Sequence, residues 1–128
     1  KADALVFCPS NPIVSIGPIL AVPGAADALR SFRGPRIAVS PIIGDRALRG
    51  PAAKMLAELG EEVTCVGVAR RLEGLCDILL IHKTDAPLAA GVKDAGLEPM
   101  VLNTIMETDD DKRRLAREIC DLIKDRLL

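Results

Sequence analysis

Four large apolar side chains follow one another in the segment Asp77-Ile78-Leu79-Leu80-Ile81-His82. Successive side chains of a β-strand point to opposite faces of the sheet, so a strand of this composition must be covered on both faces. Coverage of both faces is typical of a parallel sheet that has helices packed on each side. The segment therefore predicts a central strand of an α/β sheet.

Shorter apolar runs alternate with helical patterns along the rest of the chain. The predicted strands are 4–8, 36–40, 77–82 and 99–102. The predicted helices are 25–32, 51–59, 65–72, 84–95 and 109–126, with Thr64, Thr84 or Asp85, and Thr108 as amino-terminal caps. This alternation predicts a parallel, doubly wound, Rossmann-like sheet in three α/β/α layers. We expect a single α/β domain over 1–128 that is incomplete at its amino terminus and forms the carboxy-terminal portion of a longer protein.

Ligands of parallel sheets bind beyond the carboxyl ends of the strands, so the loops that follow the predicted strands are the places to look for a site. The first of these loops contains four candidate nucleotide-binding residues, Ser10, Asn11, Ser15 and Gly17. If Ser15 capped a helical turn, the free N–H groups of that turn could bind an anion. The same residues suit equally well a rigid turn whose polar groups bond to their own backbone.

The loop after the second strand contributes two further candidates, Ser40 and Gly44. Three basic residues follow them and could add charge to a phosphate site: Arg46, Arg49 and Lys54. The spacing of a P-loop is absent, and for Lys54 alone a solvated side chain is the favoured interpretation.

Other polar residues carry weaker indications, and no catalytic residue is assigned. His82 could be a general base at a strand end, but a structural hydrogen bond is favoured for a lone histidine. The run 109–111 of three aspartates is explained by helix capping better than by a metal site. The four cysteines lie in apolar runs without a CxxC spacing, so we expect reduced core thiols at Cys8, Cys65, Cys76 and Cys120.

Composition excludes several functional classes. A formal net charge of −1 gives no support for nucleic-acid binding. The longest apolar runs are strand-sized or broken by Pro and Gly, which argues against a membrane span and favours a cytoplasmic location. With no Trp, no Tyr and two Phe, the chain could stack almost nothing against a flat aromatic ligand.

Several motifs in the same order along nearly the whole chain resemble the 2-phospho-L-lactate transferase family. The first is the long run Cys8-Pro9-Ser10-Asn11-Pro12-Ile13-Val14-Ser15-Ile16-Gly17-Pro18-Ile19-Leu20. The next are Ala38-Val39-Ser40-Pro41-Ile42-Ile43-Gly44 and Gly50-Pro51-Ala52-Ala53-Lys54-Met55. Gly67-Val68-Ala69-Arg70 and Asp111-Lys112-Arg113-Arg114-Leu115-Ala116 are similar to later segments of that family.

The resemblance implies a transferase of coenzyme F-420 biosynthesis. Such an enzyme moves a phospholactyl or phosphoenolpyruvyl group from a guanosine diphosphate conjugate to the ribityl hydroxyl of a deazaflavin alcohol, and it releases GMP with the help of magnesium. The resemblance places the Gly-rich loop and the metal-binding aspartates in an amino-terminal half, so the magnesium ligands are expected outside this chain, and the chain alone is expected to be inactive. The resemblance also implies that the wall of the nucleotide site in this chain includes Ser10, Asn11, Ser15 and Gly17, with Ser40 and Gly44 beside them. Asp45 stands where a second Gly is expected.

Two other interpretations remain. One is a non-catalytic nucleotide-binding α/β module, and the other is a related sugar-nucleotide-binding regulator, against which the segment Pro51-Ala52-Ala53-Lys54 argues. An incomplete sheet would also expose an apolar edge or face, so we expect a homo-oligomer.

Overall fold

The predicted parallel sheet is present in the computed structural model, which describes residues 1–47 and 50–128. The strands are β1 (Leu5–Phe7), β2 (Arg36–Val39), β3 (Ile42–Ile43), β4 (Arg46–Ala47), β5 (Ile78–His82) and β6 (Glu98–Leu102). The main sheet has the order β1-β2-β5-β6, and all of its neighbouring strands are parallel. Strands β3 and β4 pair separately as a short antiparallel hairpin.

The register of the main sheet explains where a proline is tolerated. Leu79 of β5 lies opposite Ala38 of β2 on one side and Pro99 of β6 on the other. Proline cannot donate to a ladder, and it is found in strands that lie at the edge of a sheet. Within the described residues β6 is such an edge strand, so Pro99 does not interrupt the interior of the sheet.

Helices connect the parallel strands. A π-helical turn (Pro12–Ile16) leads into α1 (Gly17–Ala21), which is followed by α2 (Ala25–Ser31), α3 (Ala52–Glu58) and α4 (Cys65–Leu72). A 3-10 helix (Lys83–Leu88) leads into α5 (Ala89–Asp94), and α6 (Asp109–Leu127) ends the chain. The predicted caps Thr64 and Thr108 are confirmed, because each side chain accepts a hydrogen bond from the first turn of its helix.

Two apolar clusters cover the two faces of the sheet. On one face Leu79 and Ile81 pack with buried residues of α3, α4 and α5, such as Leu56. On the other face Ile78 and Leu80 pack with buried residues of α6. The alternation follows from the strand geometry, which sends neighbouring side chains of β5 to opposite sides. The predicted α/β fold in three layers is therefore confirmed.

Three local predictions were wrong. The segment after β5 begins as a 3-10 helix with neither Thr84 nor Asp85 as its cap, since His82 occupies the cap position and makes no capping bond. The stretch 41–45, predicted as a loop, contains β3 and the turn of the hairpin. Two of the four cysteines are exposed rather than in the core, Cys8 and Cys120.

Among the described residues, no single helix combines the length and the apolar character needed to cross a membrane. One sharply bent pair, Pro12–Ala21 with Ala25–Ser31, meets the criteria of length and composition alone.

Candidate functional site

The buried polar side chains of the described residues gather at one edge of the sheet. They follow the carboxyl ends of β2, β5 and β6, and they are Ser40, His82, Asp85 and Thr104. Buried polar groups are costly unless they are bonded, so their concentration at this edge marks it as the specialised end of the sheet. It is the edge at which parallel sheets bind ligands.

An open cleft of about 510 Å³ lies at this edge. Loops that follow β1, β2 and β6 form its walls together with the first turn of α6. Its lining residues are Pro9, Asn11, Pro41, Ile105, Met106, Glu107 and Lys112. Two prolines, one carboxylate and one ammonium group therefore face the same space.

Asn11 shapes the loop after β1. Its side-chain oxygen accepts hydrogen bonds from the backbone N–H groups of Ile13, at 2.9 Å, and Val14, at 3.3 Å. Its amide nitrogen donates to the sulfur of Met55 on α3, at 3.5 Å. Asn11 is thus the cap of the helical turn, and the prediction that Ser15 might cap it was wrong. The N–H groups of this turn that we expected to be free are bonded to Asn11.

The other candidates in this loop do not line the cleft. Ser10 is half-buried between the two lining residues Pro9 and Asn11, whereas Ser15 is exposed on the helical turn. Gly17 begins α1 with ordinary helical torsion angles, and a Cβ added there would meet its nearest neighbour at 3.7 Å. No close backbone approach therefore requires glycine at position 17.

Ser40 and Gly44 are both engaged by the protein itself. The Ser40 hydroxyl donates to the carbonyl of Ile42, at 3.0 Å, and accepts from the N–H of the same residue, at 3.2 Å. Gly44 forms the hairpin turn at φ 62°, a conformation that favours glycine, and its N–H donates to Oδ1 of Asp85 at 2.9 Å. The conformation of the loop after β2 is therefore fixed by hydrogen bonds between Ser40 and Ile42 and by the bond from Gly44 to Asp85.

Asp85 is a functional candidate that sequence reasoning missed. It is 3% exposed, and its Oδ2 atom is buried without a hydrogen-bond partner among the described residues. Burial, together with the charge of this carboxylate, raises the pKa of the Cys65 thiol to about 11. Asp85 therefore lies close to the start of α4 and ties the hairpin turn to the end of β5.

His82 makes a structural hydrogen bond, as the sequence analysis favoured. Its Nδ1 atom accepts from the backbone N–H of Thr104 at 3.2 Å, and both residues are buried. The bond joins the end of β5 to the loop after β6. Because Nδ1 is the acceptor, the proton of a neutral ring lies on Nε2.

Two of the basic residues proposed from the sequence do not line the cleft. The Lys54 side chain is 77% exposed and pairs with Glu58 on α3 at 3.6 Å, which agrees with the solvated interpretation. Arg46 is exposed on the hairpin, and its nearest charged partner is Asp45 at 3.9 Å. Arg49 lies outside the described residues. Within 1–47 and 50–128, the cation that lines the cleft is Lys112. The sequence analysis assigned no role to it, although the rule that ligands bind beyond strand ends pointed to the loop that precedes it.

Side chains of α6 hold the wall formed by residues 103–107. The Arg114 guanidinium donates to the carbonyls of Asn103, at 2.8 Å, and Ile105, at 3.0 Å. The Asp111 carboxylate accepts from the N–H groups of Thr108, at 2.9 Å, and Glu107, at 3.1 Å. These bonds lower the pKa of Asp111, those from Thr108 having the larger effect. Asp111, the last residue of the aspartate run 109–111, thus has the capping role that the sequence predicted for this run.

The described residues do not form a magnesium site by themselves. None of their His, Cys, Asp and Glu side chains are grouped in threes as metal ligands. Magnesium prefers oxygen ligands, and the single carboxylate that lines the cleft is Glu107. The ligand set implied by the family resemblance would have to come from other residues.

Comparisons with known proteins agree with one another. The profile of the family described as 2-phospho-L-lactate transferase CofD matches residues 1–128. A phosphoenolpyruvate transferase of Streptomyces griseus subsp. griseus is 41% identical over 126 residues, which are 98% of this chain and 40% of that protein. A 2-phospho-L-lactate transferase of Methanocaldococcus jannaschii is 38% identical over 121 residues, which are 94% of this chain and 37% of that protein. The chain therefore spans about two fifths of the length of these curated relatives.

Proposed function

Because this chain belongs to the 2-phospho-L-lactate transferase CofD family, we propose that it is part of a transferase of coenzyme F-420 biosynthesis. The enzyme would move a phospholactyl or phosphoenolpyruvyl group from a guanosine diphosphate conjugate to a deazaflavin alcohol. The observation that carries the proposal is the family match over all 128 residues. The names of the relatives, which include both acids, support the two alternatives for the transferred group.

The position, the walls and the volume of the cleft support our proposal that the reaction takes place there. It lies at the carboxyl edge of the sheet, and its prolines at positions 9 and 41 give it stiff walls. A volume of about 510 Å³ is within the range of small-molecule sites. Phosphoryl transfer needs mainly positioning and charge neutralisation, and a preformed cleft with fixed loops supplies the first of these.

The proposed reaction replaces the phosphoanhydride bond of the diphosphate by a phosphoester bond to the deazaflavin alcohol. The ribityl hydroxyl oxygen forms a bond to the phosphorus atom that bears the three-carbon acid, and the bond from that phosphorus to the bridging oxygen breaks. GMP leaves with the bridging oxygen, and the hydroxyl proton is released. Magnesium, when bound, would neutralise phosphate charge. Since the described residues supply no ligand set for it, we expect its ligands in the remainder of the full-length polypeptide.

The test is a transfer assay with the full-length polypeptide and with the chain 1–128 alone. The donor would be the guanosine diphosphate conjugate of either acid, and the acceptor would be the deazaflavin alcohol. Mass spectrometry would measure the two products, which are GMP and the deazaflavin that carries the phospholactyl or phosphoenolpyruvyl group. We expect magnesium-dependent product from the full-length protein and none from the chain alone. Lack of product from the full-length protein with both donors would refute the proposal.

A non-catalytic nucleotide-binding module is the second candidate. The cleft of about 510 Å³ at the carboxyl edge of the sheet also fits this candidate, because parallel sheets bind ligands at that edge whether or not a reaction follows. Calorimetry with GDP distinguishes the two candidates. Equal affinity in the chain alone and in the full-length protein would favour a self-contained module, whereas a transferase piece should bind GDP more weakly than the whole.

We also propose that the chain self-associates. Apolar side chains near the π-helical turn and α1 are exposed, namely Val14, Ile19 and Val22. Groups of exposed apolar residues of this kind are typical of interaction surfaces. Light scattering at high protein concentration should show a mass above that of the monomer, and a monomer would contradict the proposal.

A further inference from the structure

Lys112 contributes the one cationic side chain that lines the cleft among the described residues. We propose that its ammonium group binds phosphate oxygens of the substrate, an assignment that rests on the proposed function in taking the ligand to be phosphorylated. An ammonium group is a common partner of phosphate and acts as a point charge that several geometries can use. Lys112 lies in the first turn of α6, so the helix brings this charge to the cleft that residues of the loop after β1 also line.

The ammonium group of Lys112 can be redirected at little cost. Its present partner is Oδ1 of Asp109, three residues earlier on the same helix, at 2.9 Å. Both side chains of this pair are largely exposed, at 60% and 77%. Exposed ion pairs contribute little to stability, so a diphosphate group, whose two phosphates together carry two negative charges, can replace the single charge of Asp109 as the partner.

Two of the acidic residues near Lys112 have partners other than Lys112. Asp110 pairs with Arg113 at 3.0 Å. Asp111 is bonded to the backbone N–H groups of Thr108 and Glu107, as described above. The carboxylate of Glu107 lines the cleft and is the one acidic group there among the described residues. A ligand phosphate therefore has to displace Asp109, but neither Asp110 nor Asp111, from the ammonium group of Lys112.

The wall beside Lys112 is fixed before any ligand binds. Arg114, two residues further along α6, bonds to the carbonyls of Asn103 and Ile105, and it also pairs with Glu118 at 3.2 Å. Because one helix carries both side chains, the position of the Lys112 backbone relative to the wall is set by these bonds. Preorganisation of this kind reduces the ordering cost of binding.

Among the residues that the structure describes, other basic side chains at this edge do not line the cleft. Arg46, Lys54 and Lys83 are exposed, and none of them lines the cleft. Arg113 follows Lys112 directly, carries the same charge and is similarly exposed, but it does not line the cleft either. Arg113 therefore provides a matched control on the same helical turn.

The test compares Lys112→Met with Arg113→Met in the full-length polypeptide. Methionine keeps the length and the helix propensity of the side chain while it removes the charge. We expect Lys112→Met to raise both the KM of the guanosine diphosphate conjugate and the Kd of GDP by about tenfold to a hundredfold, as for loss of one hydrogen bond to a charged group. Arg113→Met should change either constant less than about twofold, since salt in the solvent screens the charge of an exposed side chain that does not line the cleft. Lys112→Arg, which keeps a cation, should recover most of the affinity.

The outcomes separate this assignment from the proposed function. If the wild-type protein shows transfer and binds GDP but Lys112→Met matches it, Lys112 is not a phosphate ligand and the function stands. If the wild-type protein shows no transfer but binds GDP through Lys112, the function fails and the assignment stands. If neither GDP nor inorganic pyrophosphate binds to the wild-type protein at millimolar concentration, both are overturned. Thermal unfolding of each variant would show that any loss of affinity does not reflect loss of folding.

Discussion

Replacement of Arg114 by methionine tests whether α6 holds the wall of the cleft. The guanidinium makes two hydrogen bonds to carbonyl groups, those of Asn103 and Ile105. The side chain is 32% exposed, so water would hydrate the released carbonyls in part. We therefore take about 1 kcal/mol for each bond, which is below the range of about 1.5–3 kcal/mol for hydrogen bonds to charged groups. The pair with Glu118 adds a few tenths of a kcal/mol, as for other exposed helical pairs.

The expected loss is thus about 2 kcal/mol in the free energy of unfolding. For a domain of this size, that loss lowers the Tm by about 8 °C. Urea unfolding followed by far-UV circular dichroism measures the first quantity, and a thermal melt measures the second. Amide hydrogen exchange adds a local reading, since the N–H of Ile105 donates to the side chain of Asn103 in the wall and should exchange faster in the variant.

The matched control is Arg117→Met. Arg117 is exposed on the same helix, and its side chain makes no hydrogen bond among the described residues. If Arg114→Met and Arg117→Met agree within about 0.5 kcal/mol, the typical effect of a surface substitution, the wall does not depend on the guanidinium. Unchanged exchange at Ile105 would refute the reasoning independently.

Three further predictions concern stability and reactivity. Thr108→Ala removes the cap of α6 and should lower the free energy of unfolding by about 1 kcal/mol in urea titrations, whereas no change would contradict the capping role. The hydrogen bond from Arg36 lowers the pKa of Asp77, so this carboxyl stabilises the fold above its unfolded pKa of about 3.9, and the stabilisation is lost as the pH falls through the folded value. The Tm of Asp77→Asn should therefore lie below that of the wild type at pH 7, with a gap that narrows below about pH 4, and a constant gap would be inconsistent with this linkage. Burial raises the thiol pKa of Cys65 to about 11 and of Cys76 to about 12, so thiol reagents at pH 8 should leave both unmodified in the native protein, as mass spectrometry would show.

The elements that the sequence predicted well depend on short-range signals. Thr64 and Thr108 cap their helices by bonds to residues two or three positions away, so the pattern of neighbouring residues contains the information. The continuous apolar run of β5 requires cover on both faces whatever the details of packing, and it indicated the layered fold. Predictions failed where neighbouring residues could each play the same role. Thr84 and Asp85 were both possible caps, but the side chain of Asp85 accepts a hydrogen bond from the distant hairpin and does not cap its own helix.

The candidate site also has some features that short-range patterns predict and others that depend on residues far apart in the sequence. The rule that ligands bind beyond the carboxyl ends of parallel strands pointed to the edge at which the cleft lies, and Asn11 lines that cleft. Which polar groups remain free for a ligand depends on partners far along the chain. Gly44 donates to Asp85 across 41 positions, and Asn11 contacts Met55 across 44. Neither the periodicity of apolar residues nor the spacing of motifs along the sequence predicts such pairs.

The sequence by itself determined the α/β fold, the family and the edge of the sheet at which a site should lie, because these follow from apolar periodicity and from ordered motifs. Only the tertiary structure decided which side chains meet at that edge. The parallel register brings the end of β6 beside β5, and the loop that follows it carries α6 back to the cleft, so that Lys112 faces the loop containing Asn11. Two residues about a hundred positions apart thus line the same cleft, since hydrogen bonding between strands, and not distance along the chain, sets which loops come together.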